Sequence, residues 1–341
     1  MNLKNKTILI TGATGSFGKN FIKHILSNHS NFKKLILFSR DELKQSDLKK
    51  ELSKIKIFKK LRFFLGDVRD KSRLIDAFKN VDLIIHAAAL KQVDTAEYNP
   101  NEFIKTNILG AQNVIDAAVY NKVKKVIALS TDKASSPVNL YGATKLCSDK
   151  LFISANIFYG QRNFTVVRYG NVEGSRGSVI PLFIKNRKNK FLNITHKDMT
   201  RFSISLNESV KLVMWTIKNA IGGEIVVPKI PSYKIIELAK AINPKAKINY
   251  IGLRPGEKIH EEMISFSESF NTLELKNKYL ILPAFYDPPH NFDTQKIKKY
   301  YKIKFNAKEI KYGFNYSSER NKRFLSIKEL KKTIEYVKKK L

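Results

Sequence analysis

The segment Thr11-Gly-Ala-Thr-Gly-Ser-Phe-Gly18 constrains this chain more than any other. It follows the apolar run Thr7–Thr11 and opens a helical pattern, which places glycines 12, 15 and 18 at a strand-to-helix turn. Glycine allows the tight turn and lets the backbone approach a pyrophosphate, and the helix N-terminus offers free N–H groups and a favourable dipole. An ordinary strand-to-helix connection could also use such a turn. Directly after the first strand of an α/β chain, it predicts dinucleotide binding by Gly12, Thr14, Gly15, Ser16, Phe17 and Gly18.

The rest of the first half supports that frame. The runs Leu35–Phe38, Leu61–Leu65, Leu83–His86, Val126–Leu129 and Thr165–Arg168 read as further strands. They are nearly continuously apolar, as parallel strands covered on both faces must be, and they alternate with helical periodicity such as Asn101–Tyr120. The expected fold class is α/β: a Rossmann-type doubly wound parallel sheet over residues 1–170, with a smaller mixed α/β substrate-binding domain over 171–341. A helix at Ser209–Asn219 and a strand at Ile225–Val227 are expected to return to the first domain near 203–227. Tyr233–Ile242 reads as a helix, Ile248–Ile251 as a strand, and the basic tail Ser326–Leu341 as a solvated surface helix.

Composition sets bounds. Of 341 residues 43% are hydrophobic, enough for a core, and the single Cys147 excludes an internal disulfide framework. The six histidines show no metal-ligand spacing, so no metal is expected, and His260 with Glu261 reads as structural. No apolar run approaches the ~20 residues of a membrane span, and the opening MNLKNKTILITG leaves no room for a signal peptide. The expectation is a cytoplasmic protein that binds no membrane. The net charge of +33 is spread from Lys4 to Lys340 rather than gathered in one arm. It reads as a solvated cationic surface, able to steer a diphosphate but not aimed at nucleic acid.

The second strand bears on which dinucleotide binds. NAD enzymes usually carry an acid there for the ribose 2′-OH. Here Ser39 and Arg40 stand 21 and 22 residues past Gly18, followed by Asp41 and Lys44. A hydroxyl and a guanidinium suit a 2′-phosphate, which favours NADP over NAD. A solvated helix start is the bland alternative. Asp67 and Val68, after the third strand, fit an adenine contact. Ala87, Ala88 and Ala89, after the fourth, let a cofactor pass close or simply serve helix packing. Tyr141 and Lys145, at i and i+4, lie on one face of a helix. A nearby ammonium favours the phenolate, so Tyr141 could take a proton from a carbinol as hydride leaves, with Thr131 at the preceding strand end.

These motifs, with Arg168-Tyr-Gly-Asn-Val172, resemble the extended short-chain dehydrogenase/reductase superfamily. Ser130-Thr-Asp-Lys-Ala134, Val138–Lys145 and Arg254-Pro-Gly-Glu-Lys-Ile-His-Glu261 narrow the resemblance to the inverting UDP-N-acetylglucosamine 4,6-dehydratases of pseudaminic acid biosynthesis. The resemblance implies an NADP-dependent cycle on UDP-N-acetylglucosamine. In it Tyr141 takes the C4 hydroxyl proton, Lys133 removes the C5 proton and Asp132 protonates the departing C6 hydroxyl. Retaining relatives carry a glutamate where Lys133 stands. A basic lysine must be neutral, which calls for desolvation or nearby cations such as Lys145. The same resemblance places Lys91 near substrate and cofactor and Asn107 in support of the proton relay. It places Asn171, Val172, Ser178, Val179, Arg201 and Arg254 on the UDP-sugar, and it implies a homo-oligomer, a hexamer by analogy. Glu173, Gln92 and His196-Lys-Asp198 depart from the pattern. A 4-epimerase or reductase using Tyr141 and Lys145 alone, a retaining dehydratase, an idle nucleotide-binding protein and a basic nucleic-acid binder remain open.

Overall fold

The computed structural model describes residues 1–160, 163–175, 178–284 and 293–339. The apolar runs form β1 (Thr7–Thr11), β2 (Lys34–Ser39), β3 (Leu61–Leu65), β4 (Leu83–His86), β5 (Lys125–Thr131) and β6 (Phe164–Tyr169). They pair in parallel in the order 3-2-1-4-5-6, the doubly wound arrangement. Every residue of β1, β4 and β6 is buried, which explains why these runs contain so few charges.

The later strands are β7 (Phe191–Ile194), β8 (Thr200–Phe202), β9 (Ile225–Pro228), β10 (Ser232–Lys234), β11 (Lys247–Tyr250), β12 (Glu262–Ile264), β13 (Thr272–Glu274), β14 (Lys278–Ile281), β15 (Lys308–Glu309) and β16 (Tyr316–Ser317). A boundary at residue 170 does not describe the sheet. β9 pairs in parallel with β6, then β14, β13 and β15 extend the same sheet to ten strands with antiparallel pairing. The apolar faces of β9 and β14 have nowhere else to be buried. The helix Leu206–Asn219 leads into β9. It starts in a capping box between Ser205 and Glu208 and packs on the first helix, Ser16–Asn28.

A second core gathers Ile180, Phe183, Ile184, Leu192, Ile194, Tyr233 and Leu238. The tail helix, Ile327–Lys338, does not lie free on the surface. Leu330, Ile334 and Val337, on one helical stripe, close this second core while its lysines face outward. Tyr233 belongs to β10, which pairs with β8, so the helix expected from Tyr233 begins at Ile235. The helix expected over Asn101–Tyr120 is helical throughout, but Ile104–Leu109 form a π-turn. None of the described helices is long and apolar enough to cross a membrane.

Candidate active site

The carboxyl ends of β1, β4, β5 and β6 converge on one crevice, where doubly wound sheets bind their ligands. Gly12 has φ +68°, and a Cβ there would stand 2.9 Å from backbone atoms of Ala87 and Ala88. On Gly18 a Cβ would meet the carbonyl oxygens of Gly12 and Ala13 at 2.5 Å. These positions accept no side chain, so the loop after β4 and the glycine turn lie backbone to backbone. The helix Ser16–Asn28 starts at Gly15 with no side-chain cap, leaving its first N–H groups to an anion. Thr14 and Ser16 stand partly exposed in that turn, while Phe17 leans on the core and stacks on Phe21. The glycine cradle and its uncapped donors fit a dinucleotide pyrophosphate.

Thr11 Oγ1 accepts from the backbone N–H groups of Ala87 and Ala88 at 3.1 and 3.2 Å, and lies 3.0 Å from His86 Nδ1. Two donors fill the hydroxyl's acceptor sites, which assigns its proton to Nδ1 and the ring proton to Nε2. Burial, with the charge of Lys145 added, pushes the His86 imidazole down to about 3, so it is neutral.

At the end of β2, Ser39 is buried and receives Gln45 Nε2 on Oγ at 2.9 Å. Arg40 is half exposed and reaches Asp67 at 3.7 Å. Asp67 is also held by Arg69, and those bonds outweigh burial to keep its carboxyl below the usual range. Asp41 caps the helix Glu42–Leu52 and pairs with Lys44, so these two expected cofactor residues are engaged with each other. Val68 is buried against Gly110, and Ala89 is exposed at the crevice.

The catalytic candidates meet at the end of β5. Thr131 Oγ1 donates to Asp132 Oδ1 at 3.0 Å and also bonds the Tyr141 hydroxyl. Lys133 Nζ donates to Asp132 Oδ1 at 3.1 Å and stands 2.9 Å from Glu261 Oε1. Asp132 is 1% exposed, so the pair is not a surface ion pair. Burial raises the Asp132 carboxyl, the Lys133 ammonium opposes this and Glu261 adds to it; the balance lies above the usual value. Glu261 is also buried, but Lys133 and Arg201 outweigh burial and hold it below. Environments that drive two carboxyls apart separate an acid, Asp132, from an anion, Glu261.

Two expectations about charge fail. Lys133 is not made neutral by its surroundings: burial pulls it down, yet Asp132 and Glu261 together hold it above its ordinary value. Nor is Lys145 the ammonium facing the phenol. Its Nζ donates to the Leu129 carbonyl at 2.9 Å, because a fully buried ammonium must find an acceptor. Burial lowers Lys145, and Asp149 opposes that shift. Burial pushes the Tyr141 phenol up to about 12, and the cation pulling against it is Lys133.

A third correction concerns Glu261, which reads as structural in the sequence but touches the site lysine. Its signal is the adjacent pair Glu261–Glu262 entering a short strand, where successive side chains turn to opposite faces. Glu262 instead accepts from Ser135 and Ser136 at 2.9 and 2.7 Å.

Support lies beneath. Asn107, buried in the π-turn, exchanges hydrogen bonds with the Leu90 backbone at 2.9 Å and donates to Thr144 at 3.1 Å. Arg168, wholly buried, bonds Asp149 at 3.3 Å and Glu268 at 2.9 Å. Lys91 sits at the crevice mouth, lowered by burial and then by the Lys133 charge.

The expected sugar-nucleotide residues divide. Arg201 faces Glu261 at 3.5 Å and Glu257 at 3.7 Å. Asn171 Oδ1 and Ser178 Oγ are buried with no hydrogen-bond partner among the described residues, as polar atoms awaiting a ligand would be. Val172 bridges Ile204, and Val179 starts the helix Val179–Lys185. Arg254 stands apart on an exposed loop, 3.8 Å from Asp94. Glu173 accepts from Ser203 at 2.6 Å, and burial raises its carboxyl.

The pattern of a family described as polysaccharide biosynthesis protein matches residues 8–283. The chain belongs to this family. Within the polysaccharide biosynthesis protein family it is 52% identical to the UDP-N-acetylglucosamine 4,6-dehydratase (inverting) of Campylobacter jejuni serotype O:23/36, over 95% of this chain and 96% of that one. The resemblance read from the motifs is thereby borne out. The UDP-glucose 4-epimerase of Rickettsia bellii is 44% identical, over 99% of this chain and 98% of the relative. Pen from Bacillus thuringiensis superposes with a TM-score of 0.86 at 37% identity, covering 99% of both chains.

Proposed function

We propose that this family member dehydrates UDP-N-acetylglucosamine across C5 and C6 with inversion at C5, giving UDP-2-acetamido-2,6-dideoxy-β-L-arabino-hexos-4-ulose. The chain is an enzyme of the dehydratase kind, a carbon–oxygen lyase. The observation that carries the reading is the cluster of Tyr141, Thr131, Asp132 and Lys133, in which the buried Asp132 carboxyl accepts on one oxygen, Oδ1, from both the Thr131 hydroxyl and the Lys133 ammonium. An enzyme that only moves hydride at C4 needs no such pair. An eliminating one needs both an acid for the leaving hydroxyl and a base at C5.

A bound nicotinamide dinucleotide supplies the hydride acceptor at C4 and the hydride donor at C6; Ser39 and Arg40 favour NADP. The chain's own residues move protons. Tyr141 takes the C4 hydroxyl proton, helped by the Lys133 ammonium beside it. The ketone at C4 acidifies C5, whose proton goes to Lys133. Asp132, whose carboxyl burial raises above its usual value, gives its proton to the departing C6 hydroxyl, which leaves as water. C5 is reprotonated from solvent on the opposite face, while Tyr141 returns its proton to solvent and Lys133 passes its own to Asp132. Arg201 and the unpartnered Asn171 and Ser178 oxygens hold the UDP-sugar. On this reading the product is the first intermediate toward pseudaminic acid, made in the cytoplasm by a homo-oligomer.

The likeness to a UDP-glucose 4-epimerase keeps one other reading alive. Incubation with UDP-N-acetylglucosamine in deuterated water separates them. Dehydration yields a 6-deoxy-4-keto sugar carrying deuterium at C5. Epimerisation yields an unlabelled galacto sugar, and that result would end the dehydratase reading.

A further inference from the structure

Lys133 must shed a proton before it can take one from C5, and its surroundings hold that proton on. Lys133 faces Asp132, Glu261, Arg201, Tyr141, Tyr233, Lys91 and Lys258. Asp132 is occupied as the acid. Lys91, Lys258 and Arg201 are cations and take nothing. Glu261 is the remaining anion in contact, with Oε1 2.9 Å from Lys133 Nζ. Its Oε2 is buried and accepts no hydrogen bond among the described residues. The backbone on either side is clamped: the Glu261 N–H donates to Ser318 Oγ at 2.9 Å, and its carbonyl accepts from the Ser318 N–H at 2.7 Å. The same Oε1 lies 3.5 Å from Arg201 Nε.

We propose that Glu261 is the positioning residue that holds Lys133 against Asp132 and receives the lysine's proton, so that the freed amine can attack the C5 hydrogen. This rests on the reading of Lys133 as the C5 base. The step balances. Lys133 ammonium and Glu261 carboxylate become amine and carboxylic acid, and the amine then takes the C5 proton as Asp132 gives its own to the C6 hydroxyl. The proton on Glu261 returns through Lys133 to Asp132 and resets the site. Arg201 couples the transfer to binding. When a diphosphate draws the guanidinium away, Glu261 loses a compensating cation and its affinity for a proton rises.

The test is steady-state kinetics of Glu261→Gln and Glu261→Asp in the full-length protein with NADP and UDP-N-acetylglucosamine, from acid to alkaline pH. Glutamine cannot take the proton, so it must leave to solvent. For the Gln variant kcat is expected to fall about 10²-fold near neutrality, within the range for proton-transfer groups. Its ratio to the parent's kcat should climb with pH, with KM little changed. Aspartate should restore part of kcat and most of the parent's profile. An unchanged kcat and profile in the Gln variant, or a rise in KM alone, overturns the proposal. If the Gln variant fails to fold, the Asp variant decides: a lowered kcat with a displaced pH profile supports the role, and a parent-like profile overturns it. Lys133→Met is run alongside. If that variant still exchanges deuterium into C5, the reading of Lys133 as base falls, whatever Glu261 does.

Discussion

Gly142 lies against Lys133 so closely that a Cβ on it would stand 2.3 Å from the Lys133 carbonyl oxygen. The helix Leu140–Phe158, which carries Tyr141, therefore packs directly on the turn that carries Asp132 and Lys133. In an exposed helix, Gly→Ala would gain roughly 1 kcal/mol of helix propensity. Here the methyl group meets backbone that cannot swing aside, which costs about 1–3 kcal/mol. Gly142→Ala should lower both Tm and kcat; a variant with unchanged kcat would show that the spacing of the two elements does not matter.

Asp132 gives its proton only while protonated, and burial holds its carboxyl above the usual value. Turnover should therefore decline as pH rises through that raised value. Asp132→Asn should cost about 10²–10⁴-fold in kcat, the span typical of a lost general acid. Because Lys133 remains, deuterium should still enter C5 of the bound sugar. Exchange that vanishes together with turnover would mean the two residues act as one base.

Arg168 is wholly buried between Asp149 on the Tyr141 helix and Glu268 beyond β12. Arg168→Met leaves Glu268 without its guanidinium and Asp149 facing Lys145 alone, and a broken buried pair costs about 3–5 kcal/mol. Urea unfolding should show that loss. A change under about 1 kcal/mol would mean that water replaces the guanidinium there.

His86 ties a pH dependence to the cofactor cradle. Its folded value is about 3 against an ordinary 6.5, so between these the unfolded chain binds a proton that the folded one does not. Stability from this group is present above the ordinary value and is lost as pH falls from about 6.5 toward about 3, by up to roughly 1.4 kcal/mol per pH unit. His86→Gln should flatten that part of the stability–pH curve. Parallel curves would show that folding does not shift the proton affinity of His86.

Arg40 bears on the choice of dinucleotide. Among the described residues its guanidinium makes a 3.7 Å contact with Asp67, and it is half exposed, open to a 2′-phosphate. Arg40→Ala should weaken NADP by about 10-fold or more, from ~1.5–3 kcal/mol of charge-assisted hydrogen bonding, and leave NAD nearly unchanged. Equal losses for both dinucleotides would rule out a 2′-phosphate contact.

Much of this was legible along the chain because it is local. An apolar run buried on both faces reads as a parallel strand, so β1 and β4 have the expected bounds; β3, a partly buried strand at the sheet's edge, has them too. Thr11–Gly18 and Tyr141–Lys145 announce themselves within eight residues or fewer. Helix ends misled by two or three residues where a strand such as β10 took the first positions. The strands β13 to β15 are too short for periodicity to single out, and they extend the sheet beyond β9, whose free side they cover.

That a dinucleotide cradle opens the chain, and that Asp132, Lys133 and Tyr141 stand near one another, follows from the order of residues, because turn chemistry and helical spacing act over a few bonds. Which charges those groups feel follows from the fold in space. Lys145 turned to Leu129, Glu261 came from a distant segment to help hold Lys133 as a cation, and Arg201 came from another to face that carboxylate. Burial and Coulomb energy depend on what surrounds a group in space, and chain order does not carry that.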